Sequence, residues 1–246
     1  MPAYNESVHI RAVLSSFIGL SIGAPWELIV VDDGSSDDTA AKVTQFASEH
    51  PELPLRLIRH RYNRGKGAAV RSLIAKAGGT HLLTFDADSE YDTDDIVNLV
   101  SPIRRGRAEV VYGVRVRGHT VMLPSLLHGV GNIVMTMTAN LIYGAWISDL
   151  HTCLKLLPLP LLRAMRLTES GFGLDTEITA EMLRRGFRPY EVSVSYVGRS
   201  KGEGKKINFS DALRCFVVLG KVRLRGVISR DQRNRALSPA VRFDAD

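Results

Sequence analysis

Short apolar runs alternate with amphipathic segments through the first half of the chain. The apolar runs predict β-strands over residues 27–31, 55–59, 81–85 and 110–112. Between them, apolar residues recur at helical spacing and predict α-helices over residues 39–50, 68–77 and 94–104. Strands that alternate with helices are typical of an α/β protein, with a mostly parallel sheet and helices on both faces. Polar loops follow these strands, and such sheets bind ligands at the carboxyl ends of their strands.

The beginning of the chain looks like a loop without the strand that should precede it. Residues 2–6, Pro-Ala-Tyr-Asn-Glu, have the character of a loop after a first strand, but only Met1 comes before them. We therefore expect the first strand of the sheet to be missing or truncated. Either the true start lies upstream or the sheet lacks a strand, and the sequence leaves both alternatives open.

The second half of the chain has a different pattern. An apolar zone at 121–147 predicts helices, and further helices are predicted over 161–165 and 176–185. Pro158 and Pro160 predict a bend before the first of these two helices. Residues 190–196 alternate between apolar and polar side chains, which predicts a strand with one solvated face. Residues 129–148 carry no charge, but glycine, asparagine, threonine and serine dilute the stretch. We interpret it as helices that pack on the core or lie at a bilayer surface, rather than as a membrane span.

Composition and charge narrow the classes of function. A chain of 246 residues is long enough for one full core, and we expect a domain over 1–215 with a basic tail over 216–246. The net charge of +6 is unevenly distributed, because the excess of Lys and Arg lies in the back half of the chain. A nucleic-acid partner is disfavoured because no basic helix is interleaved with aromatic residues. The two cysteines, Cys153 and Cys215, form no metal-ligand pattern and predict buried thiols in a reducing compartment.

The densest chemical signal is an acidic cluster directly after the predicted strand 81–85. Six carboxylates lie within ten residues, with no Lys or Arg among them: Asp86, Asp88, Glu90, Asp92, Asp94 and Asp95. At the end of a strand, alternate side chains project to one side, which would bring Asp86, Asp88 and Glu90 together. Such hard oxygen ligands suit Mg²⁺ or Mn²⁺. The alternative is a solvated acidic turn that favours the N-terminus of the next helix, and we assign the later carboxylates to it.

Three other polar loops leave two interpretations open. The turn that contains Asp32 and Asp33 could contact a ligand, or it could be a helix-leading turn held by local side-chain hydrogen bonds. The glycine turn 63–67 could place Arg64 and Lys66 near phosphates, or leave them solvated. The basic loop 198–206, with its glycines and lysines, predicts a segment that closes over a substrate, and the alternative is a solvated loop.

Taken together, these motifs resemble one enzyme family in their order and spacing. Residues 2–6, 30–39, 63–67 and 86–88 resemble inverting glycosyltransferases of family 2, which have a GT-A (Rossmann-like) fold. Residues 113–115, 149–155, 172–177 and 196–206 resemble its polyprenyl-phosphate branch, which includes dolichyl-phosphate mannosyl- and glucosyltransferases. The resemblance covers roughly residues 1–215.

The resemblance implies a role for individual residues. Asp88, with Glu90 and Asp86, would hold the divalent ion that neutralises the diphosphate leaving group. The residues that would bind the nucleotide-sugar donor are Pro2, Tyr4, Glu6, Asp33 and Lys66. The cations for the donor diphosphate and the acceptor phosphate would be Arg115, Arg199, Lys205 and Lys206. Asp149 would lie near the acceptor, and Glu177 is a further candidate at the start of a helix.

The resemblance also implies an activity and a location. We expect a metal-dependent transfer of a hexose from a GDP- or UDP-linked sugar to a polyprenyl phosphate, at the cytoplasmic face of the membrane. The protein would be cytoplasmic and peripheral at the inner membrane face, with a membrane subunit as a possible partner. The alternatives are a family 2 transferase with a soluble or polysaccharide acceptor, and a nucleotide-sugar-binding regulatory protein without turnover.

Overall fold

A computed structural model describes residues 1–115, 121–122, 126–171, 173–198 and 209–226. In chain order, its strands are β1 (Pro2–Ala3), β2 (Leu28–Asp32), β3 (Leu55–Arg59), β4 (His81–Leu83), β5 (Val111–Val114), β6 (Val121–Met122), β7 (Lys155–Pro158), β8 (Tyr190–Ser193) and β9 (Tyr196–Val197). The helices are α1 (Ile10–Ser15), α2 (Thr39–Glu49), α3 (Lys66–Lys76), α4 (Asp95–Arg104), α5 (Leu126–Tyr143), α6 (Leu159–Ala164), α7 (Gly173–Arg184) and α8 (Phe209–Arg223).

The first half forms a parallel sheet in the order β1-β2-β3. The first strand is present and consists of two residues, with Pro2 opposite Val31 and Ala3 opposite Asp32. The backbone nitrogen of Met1 donates a hydrogen bond to the carbonyl of Ile29 at 2.8 Å, which extends this pairing by one residue. The short first strand therefore positions the loop at residues 4–7 beside the carboxyl end of β2.

The other main sheet is mixed, in the order β4-β7-β5-β8. β7 runs antiparallel to both β4 and β5, whereas β5 and β8 are parallel. β7 was not predicted, because Pro158 and Pro160 indicated a bend. Pro158 lies at the end of the strand and Pro160 within the first turn of α6, where a missing N–H is tolerated. The strand predicted over 190–196 is divided into β8 and β9, and β9 pairs with β6.

Helices cover both faces of these sheets, as predicted. Ile29 and Val31 of β2 pack in one apolar cluster with α3, α5, α6, α7 and α8. Leu28 and Val30 point the other way and pack with α1, α2 and α4 in a second cluster. Because successive side chains of a strand point to opposite faces, one apolar strand contributes to both clusters.

The last described helix continues the packed domain beyond residue 215. α8 crosses the predicted boundary between the domain, residues 1–215, and the tail, residues 216–246. Val218, Leu219 and Val222 are buried in the same cluster as α7. The described part of the predicted tail is therefore folded against the core as far as Arg223.

The apolar zone at 121–147 contains β6 and α5. Met135 and Ala139 of α5 are buried, which confirms that this zone packs on the core. Among the helices of the described residues, none has both the length and the apolar character needed to cross a bilayer.

Candidate active site

Most of the predicted site residues lie at or after the carboxyl ends of β1, β2, β3, β4 and β5. The loop after β1 is attached to the loop after β2 by hydrogen bonds. Asn5 adopts a left-handed backbone conformation (φ 54°), and its Oδ1 accepts a hydrogen bond from the backbone N–H of Ser36 at 2.9 Å. The backbone N–H of Glu6 donates to Thr39 Oγ1 at 2.9 Å. Pro2, in β1, and the partly exposed Tyr4 and Glu6 therefore border the loop after β2.

The carboxylate of Asp33 is hydrogen-bonded to other residues of the protein. It accepts hydrogen bonds from the backbone N–H groups of Arg64 and Gly65, the latter at 2.7 Å, and it lies 2.6 Å from His60 Nδ1. The side chain is buried. These contacts fix the turn before α3, so Asp33 braces a turn about 30 residues away in sequence rather than its own turn.

The adjacent carboxylate, Asp32, was not among the predicted site residues. It is also buried, but its Oδ2 has no hydrogen-bond partner among the described residues. Arg59 Nε lies 3.7 Å from that oxygen, beyond hydrogen-bond distance. A buried acceptor without a donor is costly, so a ligand N–H or O–H at this strand end would satisfy it. The position at the end of β2 was the signal that could have identified it.

The turn before α3 places Lys66 between two carboxylates. Its Nζ lies 3.0 Å from Asp86 Oδ2 and 3.2 Å from Asp175 Oδ2. Burial disfavours the charged amine, but the charges of Asp175 and Asp86 outweigh it and raise the pKa of Lys66 well above its usual value. Lys66 therefore neutralises part of the acidic loop, and no local pattern indicated that Asp175 would contribute.

The turn itself requires glycine. Gly65 has φ 88°, and a Cβ there would lie 2.3 Å from the carbonyl oxygen of Ser170. Since that contact is to backbone, a side chain at residue 65 would displace Lys66 from its carboxylates.

The acidic loop after β4 differs from the regular alternation of side chains that the sequence predicted. β4 ends at Leu83, so Asp86, Asp88 and Glu90 lie beyond the strand and do not alternate to one side. The backbone turns at Ser89, which has φ 60°. Within the described residues, no group of three or more His, Cys, Asp or Glu side chains is arranged to hold a metal ion. The assignment of Asp86, Asp88 and Glu90 as ligands of a divalent ion that also binds substrate phosphates therefore stays a prediction.

The individual carboxylates have different partners. Asp86 accepts from Lys66, Glu90 Oε2 accepts from the hydroxyl of Tyr196 at 2.8 Å, and Asp88 Oδ1 accepts from the backbone N–H of Glu90 at 3.3 Å. Mg²⁺ and Mn²⁺ commonly bind one or two carboxylates and take their other ligands from water and substrate phosphates. The pair Asp86 and Asp88, on a partly exposed loop at a strand end, fits that requirement.

The later carboxylates belong to the next helix, as predicted. Asp94 is the residue before α4, and Asp95 lies in its first turn. Asp95 also accepts a hydrogen bond from the backbone N–H of Ser195 at 2.7 Å. These two acidic residues are favoured at a helix N-terminus, where the backbone N–H groups are unpaired.

Arg115 and Asp149 form a buried ion pair at the end of β5. Arg115 Nε donates to Asp149 Oδ2 and Arg115 Nη2 donates to Oδ1, each at 2.8 Å. Asn132 Nδ2 donates to the same Oδ1 at 2.9 Å. The Asp149 side chain is fully buried and that of Arg115 is 16% exposed. Burial alone would raise the pKa of Asp149, but Arg115 and these hydrogen bonds lower it to about 2.

The guanidinium group also connects this pair to the acidic loop. Arg115 Cζ lies over the ring of Tyr196, 5.0 Å from its centroid, and the hydroxyl of Tyr196 donates to Glu90. The ring of Tyr91 packs against Tyr196 with 5.2 Å between centroids. The predicted residues Arg115, Asp149 and Glu90 therefore belong to one network, although they are far apart in sequence. Tyr196 completes it, and only its position in the motif at 196–206 indicated a role.

His151 is a structural residue, in agreement with its omission from the predicted site. Its Nδ1 and Nε2 lie 3.1 Å from Asn132 Oδ1 and from Thr176 Oγ1, respectively. Burial and the nearby charge of Lys155 lower the pKa of His151 to about 4, so the ring is neutral at physiological pH. A neutral imidazole between two polar partners fixes the position of Asn132, which in turn contacts Asp149.

Glu177 is not near the network of Arg115. Its buried carboxylate accepts from the backbone N–H groups of Thr168 and Glu169 and from Arg225 Nη2, at 2.7, 2.8 and 2.9 Å. Arg225 Nη1 also donates to the buried Glu181 at 2.8 Å. Glu177 therefore connects α7 to the residues after α8, and its assignment as a ligand-binding residue is not supported by these contacts. Three other predicted cations, Arg199, Lys205 and Lys206, lie outside the described residues.

Comparison with known sequences identifies the family. Residues 1–156 match the sequence profile of glycosyl transferase family 2, which is more than half of the chain. The chain belongs to glycosyl transferase family 2. The family match includes the loops after β1, β2, β4 and β5, and thus most of the carboxylates and cations described above.

Curated relatives of this family 2 chain include enzymes named for lipid-phosphate substrates. It is 30% identical over 196 residues to a dolichyl-phosphate beta-glucosyltransferase of Dictyostelium discoideum, which covers 74% of this chain and 54% of that protein. It is 31% identical over 117 residues to a dodecaprenyl-phosphate galacturonate synthase of Rhizobium johnstonii, which covers 47% of this chain and 34% of that one. The chain therefore spans about half of the first relative and a third of the second.

Solved structures show the same fold. One is glucosyl-3-phosphoglycerate synthase of Mycobacterium tuberculosis in complex with Mn²⁺, uridine-diphosphate-glucose and phosphoglyceric acid. The TM-score is 0.68 at 18% sequence identity, over 93% of this chain and 79% of that one. The GT-A fold predicted from the sequence is confirmed.

Proposed function

We propose that this chain catalyses the transfer of a hexose from a GDP- or UDP-linked sugar to a polyprenyl phosphate, with inversion at the anomeric carbon. The observation that carries the proposal is the buried Arg115–Asp149 pair at the end of β5, linked through Tyr196 to the acidic loop. This pair holds the planar guanidinium of Arg115 beside the carboxylates that we expect to bind the donor and its metal ion. The names of the curated relatives, a dolichyl-phosphate and a dodecaprenyl-phosphate enzyme, favour a lipid phosphate as the acceptor.

On the acceptor side of the site, the reaction needs a cation that binds the acceptor phosphate, and it does not need a general base. A phosphate acceptor is already anionic at neutral pH, so its oxygen can attack without losing a proton to the protein. Asp149 has a pKa of about 2 and is ion-paired, which makes it a poor proton acceptor. We assign it the role of orienting Arg115, whose guanidinium would bind the acceptor phosphate.

The donor side combines carboxylates, a lysine and a metal ion. Asp32, whose Oδ2 has no hydrogen-bond partner in the described part of the chain, and Tyr4 would contact the nucleoside, as would Pro2 and Glu6 at the border of the same loop. Asp88, with Asp86, would hold Mg²⁺ or Mn²⁺, and the Mn²⁺ in the mycobacterial structure agrees with this choice. When bound, the ion would act as a Lewis acid that neutralises the leaving diphosphate.

Three further cations in this proposal are assigned from the sequence motif alone. Arg199, Lys205 and Lys206 would offset the charge of the two phosphate-bearing substrates, since one divalent ion cannot compensate all of it. The location at the cytoplasmic face of a membrane follows from the lipid acceptor and is part of the same proposal.

A transfer assay with a radiolabelled donor tests the function. We expect label in a lipid-extractable product when polyprenyl phosphate, Mn²⁺ and a GDP- or UDP-sugar are present, and none without the lipid. Label in a water-soluble product with a phosphorylated soluble acceptor would favour the alternative acceptor class. Donor binding without transfer to either acceptor would favour a non-catalytic binding protein. Arg115→Ala should lose transfer to the lipid, and Arg11→Ala, at an exposed surface pair, should retain it.

A further inference from the structure

Helices α5 and α8 lie side by side over the buried helix α7. The hydroxyl of Tyr143 in α5 donates to the carbonyl of Leu219 in α8 at 2.7 Å. Arg223 Nε in α8 donates to the carbonyl of Ile142 at 3.3 Å. Both helices bury one side in the same apolar cluster, with Met135 from α5 and Leu219 from α8 among its members. Their opposite sides therefore face outward next to each other.

Among the side chains that the structure describes, the outward side of α5 is apolar, and the exposed residues of α8 are apolar except for Arg214, Lys221 and Arg223. The large side chains exposed on α5 and directly after it are Val130, Ile133, Val134, Met137, Leu141 and Trp146, and those on α8 and directly after it are Leu213, Phe216, Val217 and Leu224. We call this set the α5–α8 face. Leu141 is 86% exposed, Trp146 is 83% exposed and Leu224 is 87% exposed.

This distribution is the reverse of the one expected for a helix that faces water. Exposed positions of a surface helix are normally charged or polar, whereas residues 129–148 contain no charged side chain. Scattered exposed apolar residues are ordinary in soluble proteins. A set that follows the outer sides of two neighbouring helices instead marks a surface that a membrane or another molecule covers.

The α5–α8 face lies directly behind the proposed acceptor site. Asn132, on the inner side of α5, donates to Asp149, which holds Arg115. A helix with its side chains is about 10 Å across, so the guanidinium is about one helix diameter from the outward side of α5. A lipid phosphate at the surface of a bilayer that touches this face would be close to Arg115.

We propose that the α5–α8 face docks on an anionic lipid bilayer. This inference rests on the proposed function, because the acceptor is a membrane lipid. Charge complementarity favours the bilayer over a second copy of the chain, since Lys221 and Arg223 are exposed in the last turn of α8 and would meet anionic headgroups. Trp146 suits the headgroup region, where an indole has both apolar and polar neighbours.

Vesicle flotation tests the docking with the full chain and without any donor or acceptor. The vesicles contain phosphatidylcholine alone or with 30% phosphatidylglycerol, a composition chosen for the assay, at low salt. We expect the protein to float with the anionic vesicles. The double variant Met137→Glu/Leu141→Glu should bind at least tenfold more weakly, because two carboxylates would have to enter the apolar interface. Val8→Glu is the matched control: Val8 is 81% exposed, lies outside the face, and its variant should float like the wild type.

Tryptophan fluorescence gives a second, local measurement. The chain has two tryptophans, Trp26 and Trp146. In a Trp26→Phe variant, the emission of Trp146 should shift to shorter wavelength on addition of anionic vesicles and should be quenched by lipids brominated on the acyl chain. Met137→Glu/Leu141→Glu in the same background should abolish both changes. Circular dichroism and thermal melting of every variant separate loss of docking from loss of folding.

The other outcomes would overturn the inference. It fails if the wild type stays below the vesicles, or if Val8→Glu weakens flotation as much as the double variant. It also fails if sedimentation without lipid shows a dimer that Met137→Glu/Leu141→Glu dissociates, because the face would then belong to a second copy. Transfer to detergent-dispersed polyprenyl phosphate without vesicle binding would refute the docking alone. Vesicle binding without transfer would refute the proposed function alone.

Discussion

Asp149→Asn is the substitution that separates a positioning carboxylate from a catalytic base. The change keeps the shape of the side chain but removes the charge that pairs with Arg115. In the native protein the pKa of Asp149 falls from its usual 3.8 to about 2. A shift of that size corresponds to about 2 kcal/mol of stabilisation at neutral pH. The variant also leaves a guanidinium that is only 16% exposed without its counter-ion, and we expect a total loss of about 3 kcal/mol.

Thermal and urea denaturation measure this loss. For a chain of this size, about 3 kcal/mol corresponds to a fall in Tm of about 6–12 °C. The sign of the pH dependence is fixed by the lowered pKa. The stabilisation from the Asp149 charge is complete above about pH 5 and declines as the pH falls through 3.8 toward 2, with about half remaining at pH 3. The difference in stability between wild type and variant should therefore be constant from pH 8 to pH 5 and shrink below pH 4.

The transfer assay provides the functional half of the prediction. Asp149→Asn should slow transfer because Arg115 loses its orientation, while Glu52→Gln, which alters an exposed carboxylate beside His50, should affect neither rate nor Tm. The wild-type rate should show no titration of Asp149 above pH 5. An unchanged Tm at pH 7, or a stability difference of full size at pH 3, would refute the reasoning from the ion pair. A rate that titrates with the Asp149 carboxyl near neutral pH would identify it as a base instead.

Three further predictions address other parts of the proposal. EDTA should abolish transfer, and Asp88→Asn should reduce it at least tenfold, about 1.4 kcal/mol of transition-state stabilisation; full activity in chelator would exclude the metal. Arg199→Ala should slow transfer about a hundredfold and leave Tm unchanged, whereas the control Lys201→Ala should have almost no effect on the rate. Steady-state kinetics that show equal losses for the two variants would contradict a role for Arg199. Arg225→Ala should lower the free energy of unfolding by about 3 kcal/mol, because it leaves Glu177 buried without its cation; a urea midpoint equal to that of the wild type would contradict this.

The sequence by itself determined the elements whose signals are local. β3 was predicted at its observed residues, 55–59, and the start of α2 was predicted at Thr39. Polar loops were placed correctly after β2 and β4, and the motifs in those loops identified the family. Hydrophobic periodicity and turn chemistry depend on neighbours within a few residues, so both can be read along the chain.

The tertiary structure decided which distant residues meet. Arg115 and Asp149 are 34 residues apart, and Glu90 and Tyr196 are 106 apart, yet each pair is in contact. The family resemblance named three of these four residues, but no pattern along the chain indicated that they pair. Likewise, nothing local distinguished Asp33, which braces a turn, from Asp32, whose Oδ2 has no hydrogen-bond partner among the described residues.

The missed strand β7 and the unexpected course of the acidic loop have the same origin. β7 was not recognised because its prolines indicated a bend, whereas pairing with β4 and β5 on both sides stabilises it as an inner strand. Asp86, Asp88 and Glu90 were expected on one side of a continued strand, but the strand ends at Leu83 and the loop follows the packing of Tyr91 and Tyr196 instead. Local patterns set which segments become strands, helices and loops. The geometry of a site depends on contacts between segments far apart in sequence, and those contacts are defined only when the core is packed.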